Sequence, residues 1–231
     1  MSNNYFRFKQ FTVHHELCAM KVGTDGVLLG ALADGGSRIL DIGTGTGLVA
    51  LMMAQRFPSA HITGIDIDDG AVIQAQKNVE LSPFADRIVI KKADFNVFPI
   101  HDKYDCITCN PPFFEDGASC PDQQRSIARH ASALPFSTLM SNAAALLTDN
   151  GVMTIIIPTD LLGRIEEECA FASLYIYKRL FIRTVERKAP KRVILSIAKH
   201  QPAETFVTTQ CLMHNGARSE WYTKICKDFY L

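Results

Sequence analysis

The chain of 231 residues is 47% apolar and balances 24 basic against 24 acidic side chains, which supports one sizeable core and gives no overall charge to draw nucleic acid. No apolar run reaches the roughly 18 residues of a membrane span, and the N-terminal MSNNYFRFKQ lacks the charged-then-apolar order of a signal peptide. A single-domain cytoplasmic protein without membrane attachment is therefore expected.

In chain order, residues 1–36 form a segment ahead of the first predicted strand, and within it a helix begins near Gly26, with Thr24 or Asp25 as its candidate cap. A strand–helix rhythm follows: strand Ser37–Ile42, helix Gly47–Phe57, strand His61–Asp66, helix Asp69–Leu81, then strands Arg87–Lys91 and Asp105–Cys109. Pro135–Leu147 has helical periodicity, Gly151–Pro158 is a wholly apolar strand, and a helix is expected over Thr159–Ser173. Two β-rich runs, Leu174–Arg183 and Arg192–His200, joined by VERKAPK, predict a closing antiparallel hairpin over residues 174–200. The pattern predicts an α/β, Rossmann-like, doubly wound sheet of seven mostly parallel strands, with residues 37–158 as its ligand-binding core.

Seven cysteines, odd in number and mostly in apolar surroundings, suit reduced buried thiols. Cys106 and Cys109 form a C-x-x-C, but inside a strand side chains three apart face opposite sides, which argues against a shared metal or redox role. No metal-ligand spacing is apparent. Between Lys178 and Lys199 eight basic residues stand against the single acid Glu186, a local positive stripe on a neutral protein.

Four strand ends carry candidate chemistry. After the first strand stands Asp41-Ile42-Gly43-Thr44-Gly45-Thr46-Gly47, where alternate glycines let the backbone approach a ligand and deliver it to a helix N-terminus. The spacing is G-x-G-x-G directly after an acid rather than the dinucleotide G-x-G-x-x-G, and Asp41 suits a cationic ligand better than a pyrophosphate. The second strand ends at Asp66-Ile67, where a carboxylate can accept both hydroxyls of a ribose. The third runs into Asp94-Phe95, an acid and an aromatic fit for the amine and face of an adenine. The fourth stops abruptly at Asn110-Pro111-Pro112-Phe113, whose prolines bias Asn110 and Pro111 toward extended geometry with carbonyls outward.

In this order and spacing, D-x-G-x-G-x-G, the strand-two acid, ADF and NPPF resemble the class I methyltransferases that use S-adenosylmethionine. Within that group N-P-P-aromatic resembles the signature of enzymes that methylate a planar exocyclic or amide nitrogen. The resemblance implies that the Asn110 side-chain oxygen and the Pro111 carbonyl accept the two hydrogens of an amino group. Its lone pair, otherwise delocalised into the ring, is then aimed at the methyl. Phe113 would stack on the base, with Pro112 bracing the turn. Phe8-Lys9-Gln10-Phe11 and Met20-Lys21-Val22-Gly23-Thr24-Asp25-Gly26 further resemble the bacterial family that methylates adenine N6 at position 37 of valine tRNA.

That resemblance implies a cofactor-side role for Thr24 and Asp25, which close the pocket, and a tRNA anticodon stem-loop as partner, with no obligate protein partner inferred. Phosphate contacts are expected at Arg125, Arg129, Lys188, Lys191 and Arg192. The residues leave open a protein glutamine methyltransferase, an rRNA or DNA adenine methyltransferase, a non-catalytic RNA-binding module and a nicotinamide dehydrogenase.

Overall fold

The apolar run that ends in MTIIIP forms the C-terminal half of the longest strand, and the computed structural model builds a sheet around it; the structure describes residues 4–18, 21–111 and 134–231. Strands β1 (Tyr5–Arg7) and β2 (Thr12–His14) pair as a separate antiparallel ribbon, followed by α1 (Thr24–Leu32). The alternating core comprises β3 (Arg38–Ile42), α2 (Leu48–Arg56), β4 (His61–Asp66), α3 (Asp69–Glu80), β5 (Ile88–Lys92) and β6 (Tyr104–Cys109). Then come α4 (Phe136–Leu146), β7 (Leu147–Pro158), α5 (Leu162–Phe171), β8 (Tyr175–Val185) and β9 (Arg192–Ala198). The chain closes with β10 (Phe206–His214), β11 (Ala217–Arg218) and α6 (Glu220–Cys226).

All seven predicted strands belong to one sheet of nine, in the order β11-β10-β8-β9-β7-β6-β3-β4-β5. The two additional strands, β10 and β11, extend the hairpin edge: β10 lies parallel to β8, and β11 folds back on its end. The predicted hairpin is present, since β9 runs antiparallel to both β7 and β8. The order reverses direction between β3 and β6, a switch point at which a crevice opens beyond the carboxyl ends of the strands.

The sheet is covered on both faces. On one side Leu29 of α1, Met52 of α2, Ala75 of α3 and Cys226 of α6 share a core; on the other, Leu139 of α4 and Ile165 of α5 pack over Ile107 and Ile155. Helix α2 is buried continuously from Leu48 to Ala54, because α1 and the C-terminal residues pack over the side a surface helix would show to water. Cys106 and Cys109 fall into opposite cores, as their spacing requires, and burial raises both thiols far above the ordinary range. Among the described residues no helix is long and apolar enough to cross a membrane.

Candidate active site

The glycine loop is built by backbone geometry. Gly43, Gly45 and Gly47 all have positive φ, 66°, 56° and 79°, a region costly for any side chain, and Gly47 then caps α2 in the left-handed conformation. The loop is tied to its neighbour strand: Thr44 N–H donates to the Ile65 carbonyl at 2.9 Å and Gly45 N–H to Asp66 Oδ2 at 2.8 Å. Gly64 makes this approach possible, since a Cβ there would stand 2.9 Å from Thr44 Oγ1.

Asp41 lies beneath the loop, 2% exposed, with Oδ2 accepting from Thr44 Oγ1 at 2.6 Å and Oδ1 from Thr108 Oγ1 at 2.8 Å. Burial raises its carboxyl to about 6 against the pull of those two hydroxyl bonds. It is not among the residues that line the cleft, so in this geometry it braces the loop, where a direct meeting with a cationic ligand was expected.

The cleft itself, about 250 Å3, opens at the carboxyl ends of β3 to β6. Gly43, Gly45, Asp66, Ile67, Asp94, Phe95, Asn110 and Pro111 all line it, so residues drawn from four strand ends converge on one cavity. Asp66 Oδ1 also accepts from Asp68 N–H at 3.0 Å, which fixes the carboxylate at the rim. Asp94 Oδ1 accepts from both the backbone N–H and the Nδ2 of Asn96 at 2.9 Å, and Asn142 Nδ2 holds the Phe95 carbonyl at 2.9 Å.

The strand register sets the remaining geometry. Cys109 pairs with Ile42, so Asn110 and Gly43 leave adjacent strands at the same level. Asn110, Pro111 and the glycine loop therefore face one cavity. Pro112, Phe113, Phe114, Arg125 and Arg129 lie outside the described residues.

Two expectations meet differently. Helix α1 starts at Thr24 behind Gly23, with no side-chain cap, and neither Thr24 nor Asp25 lines the cleft. Instead Asp25 Oδ2 accepts from Arg192 Nε at 2.8 Å, so a residue expected beside the cofactor and one expected on RNA form an ion pair at the edge of the sheet. The sequence reading missed Cys18, Asp68 and Asn96, all of which line the cleft. Asn96 had a local signal, an Asp two residues before an Asn at a strand end; Cys18 had none.

The electrostatics separate two ligand classes. Asp66, Asp68 and Asp94 line the cleft, and no Lys, Arg or His does so among the described residues. Such a lining repels a pyrophosphate and accepts a ligand with ribose hydroxyls and positive charge. S-adenosylmethionine has both, so the residues present fit it.

Residues 20–164 match the family described as Methyltransferase small domain. A protein of Bacteroides thetaiotaomicron named tRNA1(Val) (adenine(37)-N6)-methyltransferase is 46% identical over 100% of this chain and 99% of its own length. One of the same name from Phocaeicola vulgatus is 45% identical over 100% of this chain and 99% of its own length. The chain belongs to this methyltransferase family. The ribosomal protein L11 methylase of Lactobacillus delbrueckii subsp. bulgaricus, 19% identical with a TM-score of 0.54 over 76% of this chain and 77% of that one, shares the fold. The chain is thus an enzyme of the class I fold, with S-adenosylmethionine as the cofactor its family implies, and the dehydrogenase and non-catalytic alternatives fall away.

Proposed function

We propose that the protein transfers the methyl group of S-adenosylmethionine to N6 of adenine 37 in tRNA1(Val), as the names of its full-length relatives state for them. The observation that carries the mechanism is the shared level of Asn110 and Gly43 on adjacent strands, which sets an amino-group acceptor site beside the cofactor loop. When bound, the cofactor supplies an electrophilic methyl on a sulfonium.

The chain's own residues do the rest. Asp66 holds the ribose hydroxyls, Asp94 accepts from the adenine amine of the cofactor, and Ile67 and Phe95 give apolar contact to its base. The Asn110 side-chain oxygen and the Pro111 carbonyl accept the two hydrogens of the target amino group. This pulls its nitrogen toward tetrahedral geometry with the lone pair aimed across the cleft. Asn110 and Pro111 act by position and dipole; once transfer has turned the sulfonium into a neutral thioether, the methylated nitrogen, now positively charged and acidic, gives its proton to water. Phe113, beyond the described residues, is the stacking platform for the base, and Pro112 stiffens its approach.

The β8–β9 connection leaves the same edge of the sheet as the cleft, since β8 and β7 both run antiparallel to the β9 between them, so β8 is parallel with the core strands, and β9 starts opposite Pro158. Lys188 and Lys191 are exposed there and suit phosphates of an anticodon stem-loop, as do Arg125 and Arg129 beyond the described residues. Arg192 stands beside them, paired with Asp25. A cytoplasmic address suits such a substrate.

The test is methyl transfer from labelled S-adenosylmethionine to total tRNA from cells lacking the protein, with release factor in parallel and nucleoside analysis of the product. N6-methyladenosine in one tRNA fraction is expected. Label in release factor alone would assign the acceptor site to a glutamine amide and overturn the nucleic acid reading.

A further inference from the structure

Helix α3 carries two residues that are costly where they stand: Gly70 in its first turn and a fully buried Asn78 near its end. Glycine in a helix costs about 1 kcal/mol against alanine, and a buried amide needs partners. With Gln74, 2% exposed, they are spaced four apart and so share one face of the helix.

Each meets the N-terminal segment. Asn78 Oδ1 accepts from His14 N–H at 2.9 Å while its Nδ2 donates to the His14 carbonyl at 2.8 Å, so the side chain pairs with that residue as a neighbouring strand would. The same Nδ2 donates to the Thr46 carbonyl of the glycine loop at 2.8 Å. Gln74 Oε1 accepts from Leu17 N–H at 3.1 Å. At Gly70 a Cβ would stand 2.7 Å from the Leu17 carbonyl oxygen, closer than atoms of a backbone tolerate. The track ends at Cys18, which lines the cleft beside Asp66 and Asp68.

We propose that Gly70, Gln74 and Asn78 form a track on α3 that lays His14–Cys18 down as a fixed wall of the cofactor cleft, with Asn78 coupling this wall to the glycine loop. The inference rests on the reading of the cleft as the S-adenosylmethionine site. The three are positioning residues, and Cys18 is the contact they deliver. Burial, with Asp66 and Asp68, raises the Cys18 thiol to about 11. Its neutral form is a poor nucleophile, so a thiol can line a cleft for an electrophilic cofactor without being alkylated.

The test measures S-adenosylmethionine and S-adenosylhomocysteine affinity by calorimetry, melting temperature, and KM against kcat for the parent, Gly70→Ala and Gln74→Met. Neither substitution touches a residue assigned to the ligand. Weakening of both ligands by roughly fivefold or more is expected, with a matching rise in KM for the cofactor and kcat at saturation within about twofold. Cys18→Ala should show the same split more weakly. A lowered melting temperature with parental affinity would make the track a purely structural device and overturn the inference. A parent that binds neither ligand would overturn the cofactor reading itself, an outcome that parental binding with unaffected variants keeps distinct.

Discussion

The glycine loop and the β8–β9 connection leave the same edge of one sheet, yet they are held in opposite ways. In the loop, backbone N–H groups of Thr44 and Gly45 are tied to β4 and a buried carboxylate braces it from below. The connection is pinned through Thr159, whose N–H donates to the Lys191 carbonyl at 3.2 Å and whose Oγ1 donates to the Pro190 carbonyl at 3.0 Å, while Lys188 and Lys191 extend into solvent. A small ligand recognised by fixed dipoles needs the first construction. A polyanion gripped through long cationic stems tolerates the second.

The contrast predicts concentrated effects on one side and distributed ones on the other. The largest is at the loop's support. Asp41 is raised from 3.8 to about 6 in the folded protein, so the folded state binds more protons than the unfolded chain between these values. Stability should therefore fall as pH rises from about 4 to 6, by on the order of 2 kcal/mol. Asp41→Asn should lack this slope, which urea unfolding at several pH values measures; identical slopes would mean the carboxylate is not held in this environment.

Next, Asp66→Ala should weaken S-adenosylmethionine by roughly tenfold or more, since a charged acceptor of hydroxyls is lost. Calorimetry that returned parental affinity would remove Asp66 from the site. The smallest effects are expected in the connection. Lys188→Ala with Lys191→Ala should weaken tRNA binding only several-fold at low salt and lower the salt slope by about one to two. Arg192 is kept intact in that variant because its loss would also release Asp25. An unchanged slope would move the RNA to another face.

Most of the cleft is legible in the sequence, because strand ends are punctuated there. Glycines that need positive φ, an acid at the end of β4 and Asn-Pro-Pro after β6 each break a hydrophobic run at a fixed place. Register then forces them together. Cys18, Gln74 and Asn78 were illegible because their meaning depends on contacts between segments about sixty residues apart, which no local period encodes. The C-terminal strands β10 and β11 were hidden for another reason. Phe206–His214 is largely exposed or half-buried, so its side chains lack the apolar run that marks a core strand. The pairing of Asp25 with Arg192 was equally hidden, because an acid in the first turn of a helix favours that position on its own account, whatever it faces.

The most direct test of the central claim is the Asn110→Ala enzyme, assayed for N6-methyladenosine in tRNA1(Val) alongside its affinity for S-adenosylmethionine. A fall in methyl transfer of roughly a hundredfold or more with cofactor affinity kept within a few-fold is the predicted result. Methyl transfer at the parental rate would contradict the account, because the amino group would then be held by something other than the end of β6.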